Sequence, residues 1–367
     1  MINKIVAVQG NHPSKLNPLT DTSVFLANEI QNKKYKIFYY DPKDLSVVNS
    51  KVTAKGFFIK FNYSNKKFYK ITKKQNLDLS KCKFILIRQD PPFNLEYIST
   101  TYILDIIKNK VKIINNPTSV RNISEKLYSS KYQKYMPPTI FTQNMDEIKK
   151  FFKKNKKVIL KPIHSFSGND IHLHTKFNSK FINKFIKKHD HIMCQRFLPK
   201  ISKGDKRVFI INGKVCGAIS RVPKRGSILS NMSKGASPIN IKLTSKEIKI
   251  SNIIAKDLKK ENIFFAGIDF IDQKLNGDIN VTSPTGLKTL FELSGKNLAQ
   301  ISTWLDDIKS NNSSDYKKFR TWHYLDENKN NPKGDVFTGI NYAMNILQNR
   351  EKYISCRLAS WCIHNAY

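Results

Sequence analysis

Two carboxylates stand inside strand-forming sequence late in this chain, and any fold it adopts must find a use for them. Ile263 to Ile268, followed by Phe270, has the apolar character of a buried central strand, yet Asp269 lies within it. A second run, Asp278-Ile279-Asn280-Val281-Thr282-Ser283-Pro284-Thr285, comes shortly after, with Asn276-Gly277 offering tight-turn chemistry between the two. Side chains alternate along a strand, so Asp278 and Asn280 share one face, and a hairpin in suitable register adds Asp269 to it. Unpaired carboxylates in a buried strand are costly. A few hard oxygens in a short span are, however, what Mg²⁺ on nucleotide phosphates takes from a protein. Read alone, the motif fits a solvated acidic hairpin better than a metal site.

With 367 residues the chain can hold two or three domains. No apolar run approaches the roughly 20 residues of a membrane span, and Met1 to Gly10 reads as a strand ending in glycine, not as a signal peptide. Cys82, Cys194, Cys216, Cys356 and Cys362 are scattered and lack a C-x-x-C pair, which argues against a disulfide framework or zinc ribbon and for a reducing cytoplasm. Cys194 and Cys216 fall in apolar strands and read as inert core thiols. His172 and His174 have no evident third ligand, and Trp304, Trp322 and Trp361 read as packing residues. The net charge of +36 invites a nucleic-acid reading. The excess is nearly all lysine, spread over every segment alongside Asn and Ile, whereas arginine, the residue suited to bidentate recognition, is scarce. Non-specific attraction of anions is expected, with no specific nucleic-acid and no membrane partner.

Strand-like and helical stretches alternate over residues 1–121 and predict a doubly wound parallel sheet. The pattern restarts at Asn122. A helix over Ile123 to Tyr135, a strand at Thr139 to Phe141, a helix over Met145 to Lys154, and strands at Val158 to Pro162 and Ile192 to Phe197 are predicted. Arg207 to Ile211 pairs with Val215 to Ile219 across Asn212-Gly213, and Ser245 to Lys260 reads as a helix. Between them, residues 223–238 lack periodicity, as a lid or a functionless loop would. Residues 306–367 form an extension of unassigned role, with an amphipathic helix predicted over Val336 to Leu347.

Lys126, Lys161, Asp205, Arg207, Asp269, Asp278 and Asn280 thus stand at segment ends in an α/β chain. In the stretches Arg88-Gln89-Asp90-Pro91-Pro92-Phe93, Glu125-Lys126-Leu127, Leu160-Lys161-Pro162, Gly204-Asp205-Lys206-Arg207-Val208 and Ile279 to Thr285, the chain resembles the prokaryotic glutathione synthetases of the ATP-grasp ligase superfamily. The resemblance covers about residues 1–305. It implies an N-terminal substrate domain (1–121), then a two-lobed ATP-grasp body (122–198 and 199–305) with its lid at 223–238. It further implies that Lys126 and Lys161 contact ATP phosphates, that Gln195, Arg196, Phe197 and Leu198 hold adenine, and that Asp205 lies near the nucleotide. Arg207 would steady the transferring phosphoryl group, Arg221 and Ser283 would hold the peptide substrate, and Asp269, Asp278 and Asn280 would bind Mg²⁺, with Mn²⁺ as a substitute. The implied reaction joins γ-glutamylcysteine to glycine through an acyl phosphate, releasing ADP and phosphate. Family members are often homotetramers, so a homo-oligomer stays open.

The chain departs from the family pattern in three places. The loop after Lys161-Pro162 is His164-Ser165-Phe166-Ser167-Gly168, with one glycine where the family has several. Leu229 aligns with a lid arginine, and Asp278 replaces a longer glutamate. Two alternatives therefore accompany the ligase reading: a related ATP-grasp enzyme joining another peptide or amino acid, and a basic binding protein on the same scaffold.

Overall fold

The computed structural model describes residues 4–62, 67–166 and 168–300. Ser167, the tryptophans, Cys356, Cys362 and the extension at 306–367 with its predicted helix lie outside them. Strands β1 (Ile5–Gln9), β2 (Lys36–Tyr40), β3 (Leu45–Val48), β4 (Lys51–Phe61), β5 (Tyr69–Asp78), β6 (Phe84–Ile87) and β7 (Lys112–Ile114) form one sheet. Helices α1 (Thr22–Asn32) and α2 (Leu95–Asp105) connect its parallel strands, and α3 (Pro117–Asn122) follows. Strands β2, β1, β6 and β7 are parallel neighbours, as predicted. Their near-continuous apolar sequences, Ile-Val-Ala-Val and Phe-Ile-Leu-Ile, are those of strands covered on both faces. The sheet is not purely parallel, however, because β3, β4 and β5 add antiparallel pairings beyond β2. In β5 the lysines leave only a weak alternation, with Leu77 buried, which hid that strand from periodicity.

The next sheet contains β8 (Thr139–Thr142), β9 (Val158–Pro162), β10 (His172–His174) and β11 (Ile192–Arg196) in the order 10-9-11-8, all antiparallel. Two amphipathic helices, α4 (Met145–Lys154) and α5 (Ser179–His189), supply Ile148, Phe151, Ile182 and Phe185 to its core. Asn144 caps α4, and the helix carries Asp146 and Glu147 in its first turn and Lys153 and Lys154 in its last, matching the helix dipole. The segment predicted as a helix over 123–135 is instead a kinked 3₁₀ stretch, Leu127–Tyr135, after α3.

The third sheet runs β14-β13-β12-β15-β16, from β12 (Asp205–Ile211), β13 (Lys214–Val222), β14 (Ser237–Asn240), β15 (Phe265–Ile271) and β16 (Lys274–Asn280). Helix α6 (Ser245–Lys260) opens on a capping box between Thr244 and Glu247, and α7 (Leu287–Ser294) follows the sheet. Asn212-Gly213 turns β12 into β13 with positive φ at both residues, as predicted. The other hairpin differs from expectation. Its turn is Asp272-Gln273, with φ of 47° and 59°, while Asn276-Gly277 lies inside β16. Strand β14 also takes the end of the stretch read as a lid. Cys194 is buried as predicted, but Cys216 is only half-buried, with its Sγ at 3.3 Å from the Lys214 carbonyl.

Asn115 ties the first sheet to the third. Its Oδ1 accepts from the N–H groups of Phe264 and Phe265, and its Nδ2 donates to the carbonyls of Phe265 and Val281, at 2.6 to 2.9 Å. A buried amide with all four bonds made is a specific strut. Asn115→Ala should therefore lower stability by roughly 2–6 kcal/mol, at 0.5–1.5 per lost bond, measurable as a shift of the urea midpoint.

Candidate active site

Strand register builds the centre of the site. In the third sheet Asp205 lies directly opposite Arg221, and Arg207 directly opposite Asp269. Asp205 and Arg207 are two residues apart on β12, so all four side chains share one face. The guanidinium of Arg207 donates to both oxygens of Asp269 at 2.9 and 2.8 Å and to Thr285 Oγ1 at 3.3 Å. Arg221 donates to both oxygens of Asp205 at 2.7 and 2.6 Å and also to Asp269 Oδ2 at 2.8 Å. Ser230, from the segment between β13 and β14, donates to Asp205 Oδ2 at 2.6 Å. Four buried charges are thus joined into one balanced chain.

The electrostatics follow from that arrangement. Burial raises the Asp269 carboxyl, but Arg207 and Arg221 together outweigh it and hold the group well below the usual range. Asp205 ends above its usual value, because burial and the neighbouring Asp269 prevail over Arg221 and Ser230. Burial disfavours the charged form of Arg221, yet its two carboxylate partners more than reverse this. Each guanidinium uses three of its five N–H groups within the network and keeps two for a ligand.

Two lysines face Asp278 across the cleft. The Ile279 N–H donates to the Glu125 carbonyl at 2.9 Å and so fastens the segment before the 3₁₀ stretch against β16. Lys126 Nζ consequently lies 3.6 Å from Asp278 and donates to the Ser165 carbonyl at 2.7 Å. Lys161, near the end of β9, reaches the backbone and side-chain oxygens of Asn276, each at 3.0 Å, and lies 3.8 Å from Asp278. Burial pushes the Lys161 ammonium below its usual value; Lys126 adds to this and Asp278 opposes it.

These groups line an open cleft. Its wall includes Gln195, Arg196, Phe197 and Leu198 at the end of β11, with Ile159, Phe166, Ile201 and Ile271 as apolar surface. The N–H groups of Arg196 and Phe197 donate to the carbonyls of Pro138 and Lys157. That of Leu198 makes no hydrogen bond among the described residues, which leaves it for a ligand edge. Ile228, Leu229, Ser230 and Asn231 close the opposite side.

Of the residues singled out from sequence, Lys126, Lys161, Gln195 to Leu198, Asp205, Arg207, Arg221, Asp269 and Asp278 all line this cleft. Asn280 and Ser283 do not. The Asn280 Oδ1 accepts from the Ser283 N–H at 3.2 Å, while the buried Ser283 hydroxyl has no partner among the described residues. Sequence reasoning passed over Glu125, Asn276 and Ser230. Asn276 was assigned to a turn, and Ser230 sits in a stretch without periodicity. Burial, reinforced by Asp278 and Asp269 against Lys126 and Arg207, pushes the Glu125 carboxyl up to about 7. Among the described residues no group of three His, Cys, Asp or Glu side chains is gathered closely enough to hold a metal alone.

Known proteins match the chain over the same segments. The profile of the prokaryotic glutathione synthetase N-terminal domain matches residues 5–121, and that of the prokaryotic glutathione synthetase ATP-grasp domain matches residues 125–295. Glutathione synthetase from Rhodopseudomonas palustris is 33% identical over 298 residues, covering 80% of this chain and 95% of the relative. That of Buchnera aphidicola subsp. Baizongia pistaciae is 35% identical over 319 residues, covering 85% and 96%. Among solved structures, the ATP-grasp ligase PsnB complexed with minimal precursor, Mg and ADP shares the fold, with a TM-score of 0.52, 11% identity and coverage of 84% of this chain and 98% of that one.

Two outcomes follow for the ion network and its neighbour. Asp269→Asn should destabilise the protein by about 3–5 kcal/mol in urea titration, because it removes the counter-charge of two buried arginines. Joint exchange of Arg207→Met and Asp269→Leu should cost less than the single change, leaving Arg221 with Asp205. For Glu125, the carboxyl pKa is raised from 4.5 in the unfolded chain to about 7 in the fold. Its contribution is then fully present below pH 4.5 and lost as pH rises through 7. In ligand-free protein, Glu125→Gln should flatten the fall in urea midpoint across that window.

Proposed function

The chain belongs to the prokaryotic glutathione synthetase family of ATP-dependent ligases, and on that premise we propose that its cleft joins γ-glutamylcysteine to glycine. One observation carries the reading. Two lysines, two arginines with spare N–H groups and an unengaged backbone donor at Leu198 face a single cleft. In this reading adenine lies against Gln195 to Leu198, with the Leu198 N–H on its edge. Lys126 and Lys161 exchange their contacts with Ser165 and Asn276 for the phosphates, as point charges. Asp205 orients Arg221, and Arg207 keeps two N–H groups for the transferring phosphoryl oxygens.

The cysteinyl carboxylate, held by Arg221, attacks the γ-phosphorus; Ser283 would join only once its buried hydroxyl is opened to the cleft. ADP leaves, and an acyl phosphate is formed. The glycine amine then adds to the acyl carbon, loses a proton, and the tetrahedral intermediate expels phosphate. No side-chain nucleophile is needed, so the work of this chain is positioning and charge stabilisation. Residues 223–238 shield the acyl phosphate from water, a role supported by the contact of Ser230 with Asp205. The segments 1–121, 122–198 and 199–305 act as substrate domain and the two ATP-grasp lobes.

Mg²⁺, or Mn²⁺ in its place, would offset charge on the phosphoryl oxygens when bound. Asp278 suits it as a hard oxygen ligand, and Asp269 would join by releasing a hydrogen bond from Arg207 or Arg221. Asn280 joins them only by releasing the Ser283 N–H. The substrates are small molecules, and a homo-oligomer remains part of the reading. No helix among the described residues is long and apolar enough to cross a membrane, in keeping with a cytoplasmic enzyme.

Phosphate release by the purified protein should require ATP, a divalent cation, γ-glutamylcysteine and glycine together, with glutathione formed in step. Release with other peptides only would transfer the assignment to a related ligase. Arg207→Ala or Asp269→Ala should abolish ADP formation. Asp278→Ala should raise the Mg²⁺ concentration needed for half-maximal rate more than Asn280→Ala does.

A further inference from the structure

Arg88 is a buried cation with no carboxylate of its own. It follows the last residue of β6, is 5% exposed, and forms no ion pair among the described residues. Its Nε donates to Ser23 Oγ at 3.1 Å, while Nη1 is buried without any hydrogen-bond partner. The hydroxyl of Tyr97, from α2, is likewise buried and unpartnered. The two nearby acids are engaged elsewhere. Asp21 caps α1 through the N–H groups of Ser23 and Val24, and Asp90 accepts from Asn11 Nδ2 at 2.7 Å. Burial pushes the guanidinium below its usual value, and Asp21 and Asp90 only partly oppose this. An arrangement that leaves a buried guanidinium donor free is costly unless an anion completes it.

Topology gives an independent reason to look here. The chain crosses from β1 to β2 on one side and returns to β6 on the other, so the order 2-1-6 places a switch point between β1 and β6. Open parallel sheets bind ligands beyond the carboxyl ends of the strands at such a point. Gly10 and Arg88 follow those two ends, and the rim is open at half-buried Asn11 and exposed Asp90. Any side chain at Gly10 would crowd the Tyr39 hydroxyl at 2.8 Å and the Arg88 carbonyl at 3.3 Å.

The crevice also adjoins the reacting centre. Ser23, on which Arg88 rests, follows Thr22, whose Oγ1 accepts from the N–H groups of Gly286 and Leu287. Thr285, the preceding residue, accepts from Arg207.

We propose that this crevice holds the amino-acid end of the first substrate, with the α-carboxylate of the γ-glutamyl group on Arg88 and its ammonium on Asp90. Glycine suits it less well. Its amine must be uncharged and beside the acyl carbon to react, whereas an ammonium held by a carboxylate stays protonated. Binding energy gained at this remote end fixes the cysteinyl carboxylate for attack. The assignment rests on the ligase reading above and adds the residues that recognise the γ-glutamyl group.

The test compares γ-glutamylcysteine with 4-aminobutanoyl-cysteine, which lacks the α-carboxylate, and glutaryl-cysteine, which lacks the α-amino group. For the wild-type enzyme each analogue should raise KM about 10- to 100-fold, as loss of a charged hydrogen bond does. Arg88→Ala should erase the penalty for the first analogue and Asp90→Asn that for the second, with KM for ATP unchanged. Arg88→Lys, which keeps the charge, should recover part of the affinity, and the wild-type comparison needs no variant to fold. A rise in KM for glycine alone would overturn the assignment to the γ-glutamyl end. Equal KM for γ-glutamylcysteine and both analogues would overturn it too, while leaving the ligase reading intact. Absence of turnover with γ-glutamylcysteine itself would overturn both.

Discussion

The chain of ion pairs from Asp205 through Arg221 and Asp269 to Arg207 is the constraint on which the rest of the molecule depends. Four buried charges are tolerable only when their geometry is close to ideal and their remaining lone pairs are used. Here the β12–β13 and β12–β15 registers supply that geometry directly, since each carboxylate faces its arginine across one rung of the sheet. A slip of one residue would send every member to the opposite face. The network therefore specifies register as much as it prepares a cleft, and the apolar strands around it provide the burial that makes it strong.

The lysines act differently. Spread as they are over the whole surface, most of the positive charges that give +36 have no fixed geometry. Lys126 and Lys161 differ because each is buried and anchored to a backbone carbonyl, Ser165 or Asn276. Their ammonium groups are held apart from solvent by neutral oxygens that a polyanion can replace. A general basic surface raises the local concentration of anions, and in the proposed reading two positioned lysines decide where one settles.

Much of this was legible in the chain itself. The parallel core of the first sheet followed from runs such as Phe84 to Ile87, and α4 and α6 from caps and apolar period. The convergence of Asp205, Arg207, Asp269 and the two lysines came from motif order, not from any local signal. Their mutual pairing was not legible, because it depends on register between strands far apart in sequence. The second hairpin shows the limit of turn chemistry. Asn-Gly is a strong turn signal, yet in β16 it is overridden: Asn276 is used by Lys161, and a side chain at Gly277 would meet Met193. The antiparallel strands were missed for different reasons: β3, Leu-Ser-Val-Val, is short and buries only Leu45, while β4 and β5 carry irregular burial and many lysines.

The single glycine left in the loop after β9 has a consequence for how the cleft can open and be altered. Gly168 adopts φ of 73°, and a β-carbon there would come within 2.6 Å of Asn231 Oδ1 and 3.4 Å of Leu229. The loop after β9 and the segment of Leu229 and Asn231 thus occupy touching volumes, separated by the absence of one methyl group. Bulk added to either loop is felt by the other, so the two behave as one mechanical part. Evolution or engineering of a new acceptor range would have to change them as a pair.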